Sequence, residues 1–82
     1  METLTVQISR YRMDGAHVLA MPKDLLERYT VDVPRADCME KRPDLGQYSP
    51  IVTTNAIERF LRKAGHFGPL PAGERWYYSP LN

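Results

Sequence analysis

Leu4, Val6 and Ile8 alternate with Thr5, Gln7 and Ser9. A period of two sends one set to a core face and the other to a polar face, so the spacing predicts a half-buried strand that Tyr11 and Arg12 extend. Asp14-Gly15 follows, the dipeptide best suited to a two-residue hairpin turn because both positions need positive φ. A turn centred there pairs Arg12 with His17, Arg10 with Leu19 and Ile8 with Met21. Leu19 and Met21 then share the face of Leu4, Val6 and Ile8, a self-consistent register for an N-terminal hairpin.

Pro22 ends that second strand and suits the first position of a helix, where its missing N–H costs nothing. Lys23 to Tyr29 accordingly reads as a short helix with Leu25, Leu26 and Tyr29 inward. The β-branched run Thr30-Val31-Asp32-Val33 stops it and favours a short extended piece. From there Pro34, Pro43, Gly46 and Pro50 interrupt any regular pattern. An irregular, proline-rich link at about 34–50 is expected, with no more than a couple of helical turns over 35–42.

Start, periodicity and stop agree over Thr53 to Gly65. Asn55 is the expected N-cap, with Glu58 three residues on to complete a capping box. Ile57, Phe60, Leu61 and Ala64 recur at i, i+3, i+4 and i+7, an apolar stripe on an amphipathic helix, and Gly65 supplies a left-handed stop. A glycine- and proline-set loop over 66–73 leads to Glu74-Arg75-Trp76-Tyr77-Tyr78-Ser79, a third strand closed by Pro80. The pattern is α+β: a small, mainly antiparallel sheet, made of the N-terminal hairpin and the C-terminal strand, packed on one principal helix and one short helix.

Composition narrows the class without naming a function. The 82 residues are 43% hydrophobic and 26% charged, the balance of a folded domain rather than a disordered one, and the length fits a single small domain over 1–82. Net charge is +1; residues 1–41 carry six Lys/Arg against seven Asp/Glu and residues 42–82 five against three, too mild an asymmetry to dictate a nucleic-acid partner. The single cysteine, Cys38, leaves no intramolecular disulfide. Met1 to Thr5 lack the basic start of a signal peptide and no apolar run reaches membrane-spanning length, so a cytoplasmic setting without membrane contact is expected.

The chemistry-bearing residues form no catalytic or metal-binding constellation. Cys38 lies between the acidic Asp37 and Glu40, which disfavour a thiolate, and His17 and His66 stand in no metal-ligand spacing with it. Gly65-His66-Phe67-Gly68 lacks the spacing and lysine of a phosphate loop. The expectation is a protein that is not an enzyme and uses no metal or cofactor.

Two binding surfaces remain. The helix carries Arg59, Arg62 and Lys63 on its polar side, the arrangement of a winged-helix reading helix, although Glu58 and Arg62 also form an ordinary i, i+4 pair and no clear helix precedes it. The C-terminal strand offers Arg75, Trp76, Tyr77 and Tyr78, the residue types that most often anchor interfaces. On a strand Trp76 and Tyr78 share one face and Tyr77 takes the other; Trp76 and Tyr78 also suit a core against Phe60 and Leu61. Protein binding through either surface, or both, is the favoured function, with a larger protein or nucleoprotein as partner. DNA-binding regulation through the helix is the alternative, and a homodimer made by edge-strand pairing stays open.

Val18 to Arg28, a strand, Pro22-Lys23 and the expected helix, resembles the strand–Pro–Lys–helix segment of AbrB-like transition-state regulators over about 11 residues. That family's glycine-marked second half has no counterpart after Val33, and its function is not carried over. As a compact chain without cofactor motifs, the protein is similar to the small inhibitors encoded by phages and mobile elements, anti-CRISPR proteins among them. That similarity implies inhibition by occlusion of a partner.

Overall fold

A computed structural model describes residues 2–13 and 24–81. The fold is α+β. In chain order the elements are β1 (Thr3–Arg12), β2 (Leu25–Pro34), β3 (Met39–Arg42), β4 (Gln47–Val52), α1 (Thr54–Lys63) and β5 (Glu74–Pro80), with 3-10 turns at Arg35–Cys38 and Pro43–Leu45. Strands β2, β1 and β5 form one sheet in that order, and β3 and β4 form a second. The chain divides into two compact units: Met1–Leu4 with Val33–Gly68, and Thr5–Asp32 with Pro69–Asn82.

In the three-stranded sheet β5 runs antiparallel to β1, with Ile8 opposite Tyr78, Ser9 opposite Tyr77 and Tyr11 opposite Arg75. The ladder is bounded by the Met13 N–H on the Gly73 carbonyl at 2.5 Å and the Leu81 N–H on the Thr5 carbonyl at 2.8 Å. Both bonds involve odd-numbered positions, Thr5 in β1 and Met13 just past its end, so β5 presents the N–H edges of its even residues away from β1. Pro80 falls in that outward set, where a residue without an N–H interrupts no ladder bond. On the other side Thr5 meets Asp32 and Arg10 meets Glu27, partners that fall along β2 as they rise along β1, so this pair is antiparallel too.

Leu25 to Tyr29 is therefore extended and not helical, which corrects the short helix expected over 23–29 and removes the helix from the AbrB-like resemblance. Helix preference among residues such as Leu, Glu and Arg is worth only tenths of a kcal/mol each, and cross-strand contacts outweigh it. Arg10 in the central strand reaches both edges, with Nε 3.2 Å from Glu27 and Nη1 2.5 Å from Glu74. Arg28 bonds back to Ser9 and Tyr11. The extended piece expected over 30–33 is the second half of the same strand. The Asp14-Gly15 turn and the strand expected over 17–21 lie outside the described residues.

In the other unit, the segment expected to be irregular at 34–50 holds a turn and most of a β-hairpin. Met39 pairs with Val52 and Glu40 with Ile51, and a bulge separates these from the Arg42–Gln47 pair at the tip. Pro43 starts the tip turn, and Gly46 closes it at φ 74° with its N–H on the Pro43 carbonyl. The prolines thus shape a turn and an edge position, Pro50, rather than abolish the strands; in a two-stranded ribbon each strand keeps an unpaired side.

Helix α1 follows and lies against the Arg35–Cys38 turn and β3. Its N-cap is Thr53 and not Asn55: the Thr53 hydroxyl accepts the Ala56 N–H at 3.1 Å, and the capping box with Glu58 does not form. The helix ends as its sequence predicts. Gly65 is left-handed at φ 94°, its N–H reaches the Arg62 carbonyl, and the His66 N–H reaches the Leu61 carbonyl, the paired bonds of a Schellman stop. Ala56, Ile57 and Leu61 are buried, as are Leu4, Val33 and Cys38 of the same unit; Phe60 is half-buried and Ala64 exposed. In the sheet unit Val6, Ile8 and Ser9 are buried.

Candidate binding face

The odd-numbered residues of β1 are the polar half of the alternation, and the register sets them beside partners from both neighbouring strands. Gln7, Ser9 and Tyr11 share a face with Ser79, Tyr77 and Arg75 of β5, because directly opposed residues of an antiparallel pair point the same way. Arg28 of β2 joins this face: its Nε donates to Ser9 Oγ at 3.2 Å and its Nη2 to Tyr11 Oη at 2.8 Å. The first of these bonds satisfies Ser9, a buried polar residue, which would otherwise bear an uncompensated desolvation cost. Tyr11 and Tyr77 meet edge to face, ring centroids 5.3 Å apart and planes at 89°, and the Tyr77 hydroxyl lies 3.8 Å from Met13 Sδ. A groove of about 300 Å³ opens here, its lining including Gln7, Ser9, Tyr11, Arg28, Tyr77 and Ser79.

The two arginines of this face, Arg28 and Arg75, are held without a carboxylate partner among the described residues. Arg10, Arg35, Arg42, Arg59 and Arg62 each pair with a carboxylate. Arg28 is fixed by two neutral hydroxyls instead, and Arg75 makes no ion pair among the described residues. Asp32 sits at the far end of the face and accepts a hydrogen bond from Thr5 at 2.8 Å.

The residues singled out in the sequence divide between the two surfaces. Arg75 and Tyr77 belong to the open face. Trp76 and Tyr78 project to the opposite side of the sheet and are half-buried, in line with the alternation along the strand. On α1, Arg59 donates to Glu40 at 3.1 Å, and Arg62 is bound to Glu58 at 2.7 Å with its guanidinium 5.5 Å from the centre of the Phe67 ring. Lys63 is exposed without an ion pair among the described residues. With Asp37, Arg59, Phe60 and Ala64 it borders an open hollow of about 480 Å³.

Glu40 anchors this second surface. It accepts Thr53 Oγ1 at 2.5 Å as well as Arg59, and those bonds hold its carboxyl below the usual glutamate range, Thr53 contributing most. Cys38 is fully enclosed; burial first and the nearby Asp37 charge second push its thiol up, away from the thiolate a nucleophile needs. Among the described residues no group of three His, Cys, Asp or Glu side chains could hold a metal ion, and no helix is long and apolar enough to cross a membrane.

Gln7, Ser9, Tyr11 and Arg28 were not among the residues singled out. The period-two pattern already placed the first three on a polar face. Arg28 joins them only because its segment is a strand, which the local sequence disguises as a helix. No protein-family model, curated protein or solved structure matches this chain.

Proposed function

We propose that this protein acts in the cytoplasm, without catalysis, by binding a larger protein partner through the open face of its three-stranded sheet, and that it inhibits by occlusion. The observation that carries this reading is the Tyr11–Tyr77 ring pair standing beside Arg28 on a face where Arg28, Arg75 and Tyr77 are exposed. Tyrosine and arginine supply large contact area and directional bonds at little conformational cost, the composition of interface anchors. The helix is the weaker candidate. Two of its three cations are already neutralised by Glu40 and Glu58, and after α1 the chain contributes a single strand paired to β1 rather than a local wing.

Site-specific photo-crosslinking in cells tests the reading. A benzophenone side chain at position 77 is expected to yield a discrete protein adduct, and the same group at position 59 none. Adducts from position 59 alone, or adducts to nucleic acid, would replace this reading with one based on the helix.

A further inference from the structure

We infer that the groove beside Arg28 is a subsite for one carboxylate, that of an Asp or Glu side chain on the protein partner, with a neighbouring apolar side chain resting on Tyr77. This deepens the binding reading above and rests on it. A guanidinium carries five N–H donors in a planar fork. Two of Arg28's are engaged by Ser9 and Tyr11; Nη1 donates to no described side chain, and Arg28 lines the groove together with both hydroxyl partners. The hydroxyls hold the fork in place without cancelling its charge, so an incoming carboxylate meets a preorganised cation and does not have to displace an internal acid.

A single acidic side chain fits better than a nucleic-acid backbone. A phosphate track needs several cations in a row. Among the described residues the cations of this face are Arg28 and Arg75, and Asp32 opposes any extension at the Thr5 end. The Tyr11–Tyr77 pair adds an apolar wall beside the cation, a setting for a side chain and not for a bare ion.

The test is an NMR titration of the isotope-labelled full chain with a blocked glutamyl-phenylalanyl peptide, its glutaminyl counterpart and a thymidine oligonucleotide. The glutamyl peptide is expected to shift the Arg28 side-chain Nε–Hε signal with the Ser9, Tyr11 and Tyr77 amides, saturably and about tenfold more tightly than the glutaminyl one. Arg28→Gln should remove that preference and Arg28→Lys should not restore it, because an ammonium lacks the fork; Arg62→Gln should leave it intact. Retention of the remaining amide spectrum shows that the variants fold. Equal response to both peptides, shifts centred on Arg59 and Lys63, or tighter binding of the oligonucleotide at Arg28 would overturn the assignment. Crosslinking from position 77 is then repeated with Arg28→Gln. Full adduct yield would sink the subsite while leaving the binding face standing, whereas absence of adducts from the otherwise unsubstituted chain would sink the face itself.

Discussion

Thr53 ties the helix to the hairpin in the helix-bearing unit, and replacing it measures how that unit is held. Its hydroxyl accepts the Ala56 N–H at 3.1 Å and donates to Glu40 Oε1 at 2.5 Å; its N–H bonds the Cys38 carbonyl at 3.2 Å and its carbonyl accepts the Ile57 N–H at 3.1 Å. One residue therefore caps α1, closes the end of the β3–β4 hairpin and orients the carboxylate that meets Arg59. In Thr53→Ala the two backbone bonds survive and both hydroxyl bonds vanish. Loss of the cap alone costs about 1 kcal/mol, within a range of about 0.5–2. For a chain of this size that is a fall of roughly 4–8 °C in Tm, or about 0.5–1 M in the urea midpoint with the slope unchanged.

The assay is urea unfolding followed by helical circular dichroism on three variants. Thr53→Ser keeps the hydroxyl and should stay near the parent. Asn55→Ala, at an exposed position inside the first turn, should move stability by no more than about 0.5 kcal/mol. An Asn55→Ala loss equal to that of Thr53→Ala, or a Thr53→Ser loss as large as Thr53→Ala, would refute the assignment of the cap.

Leu61, fully buried on α1, should cost about 2–5 kcal/mol on truncation to alanine. That is a large part of the stability of so short a chain, and a midpoint near the parent's would mean the helix stripe is not core. Glu40 and Asp44 both sit below their ordinary values of 4.5 and 3.8, held there first by the Thr53 and the Arg42 hydrogen bonds respectively. A folded-state carboxyl that binds its proton more weakly than in the unfolded chain adds stability above the unfolded value and loses it as pH falls. The urea midpoint should therefore drop as pH falls through and below those ordinary values, and Glu40→Gln should flatten that slope; an identical slope in the variant would contradict the contact. The Cys38 thiol, enclosed and shifted upward, should react with an aromatic disulfide reagent only as fast as the chain opens. Rapid labelling of the folded protein would place it at the surface.

The sequence by itself determined those elements whose signals are local. Alternation over residues 4–8 is enough to define β1, because a period of two leaves one face apolar whatever the strand pairs with. The helix stripe and Gly65 define α1 and its end in the same way, since the left-handed stop needs only a residue without a side chain. The aromatic run of β5 is legible too, including which of Trp76, Tyr77 and Tyr78 share a side. Tertiary structure decided the rest. Leu25 to Arg28 would favour a helix in isolation and become a strand because β1 offers a ladder and Arg10 and Ser9 offer partners. The prolines at 34, 43 and 50 suggest irregularity, yet they fit the rim of a turn and the open side of a two-stranded ribbon. Thr53 displaces Asn55 as the cap because the hairpin end supplies Glu40 and the Cys38 carbonyl to hold it. The candidate face depends on the same long-range step: no local pattern places Arg28 beside Ser9 and Tyr11, because that neighbourhood exists only once three strands distant in the chain are in register.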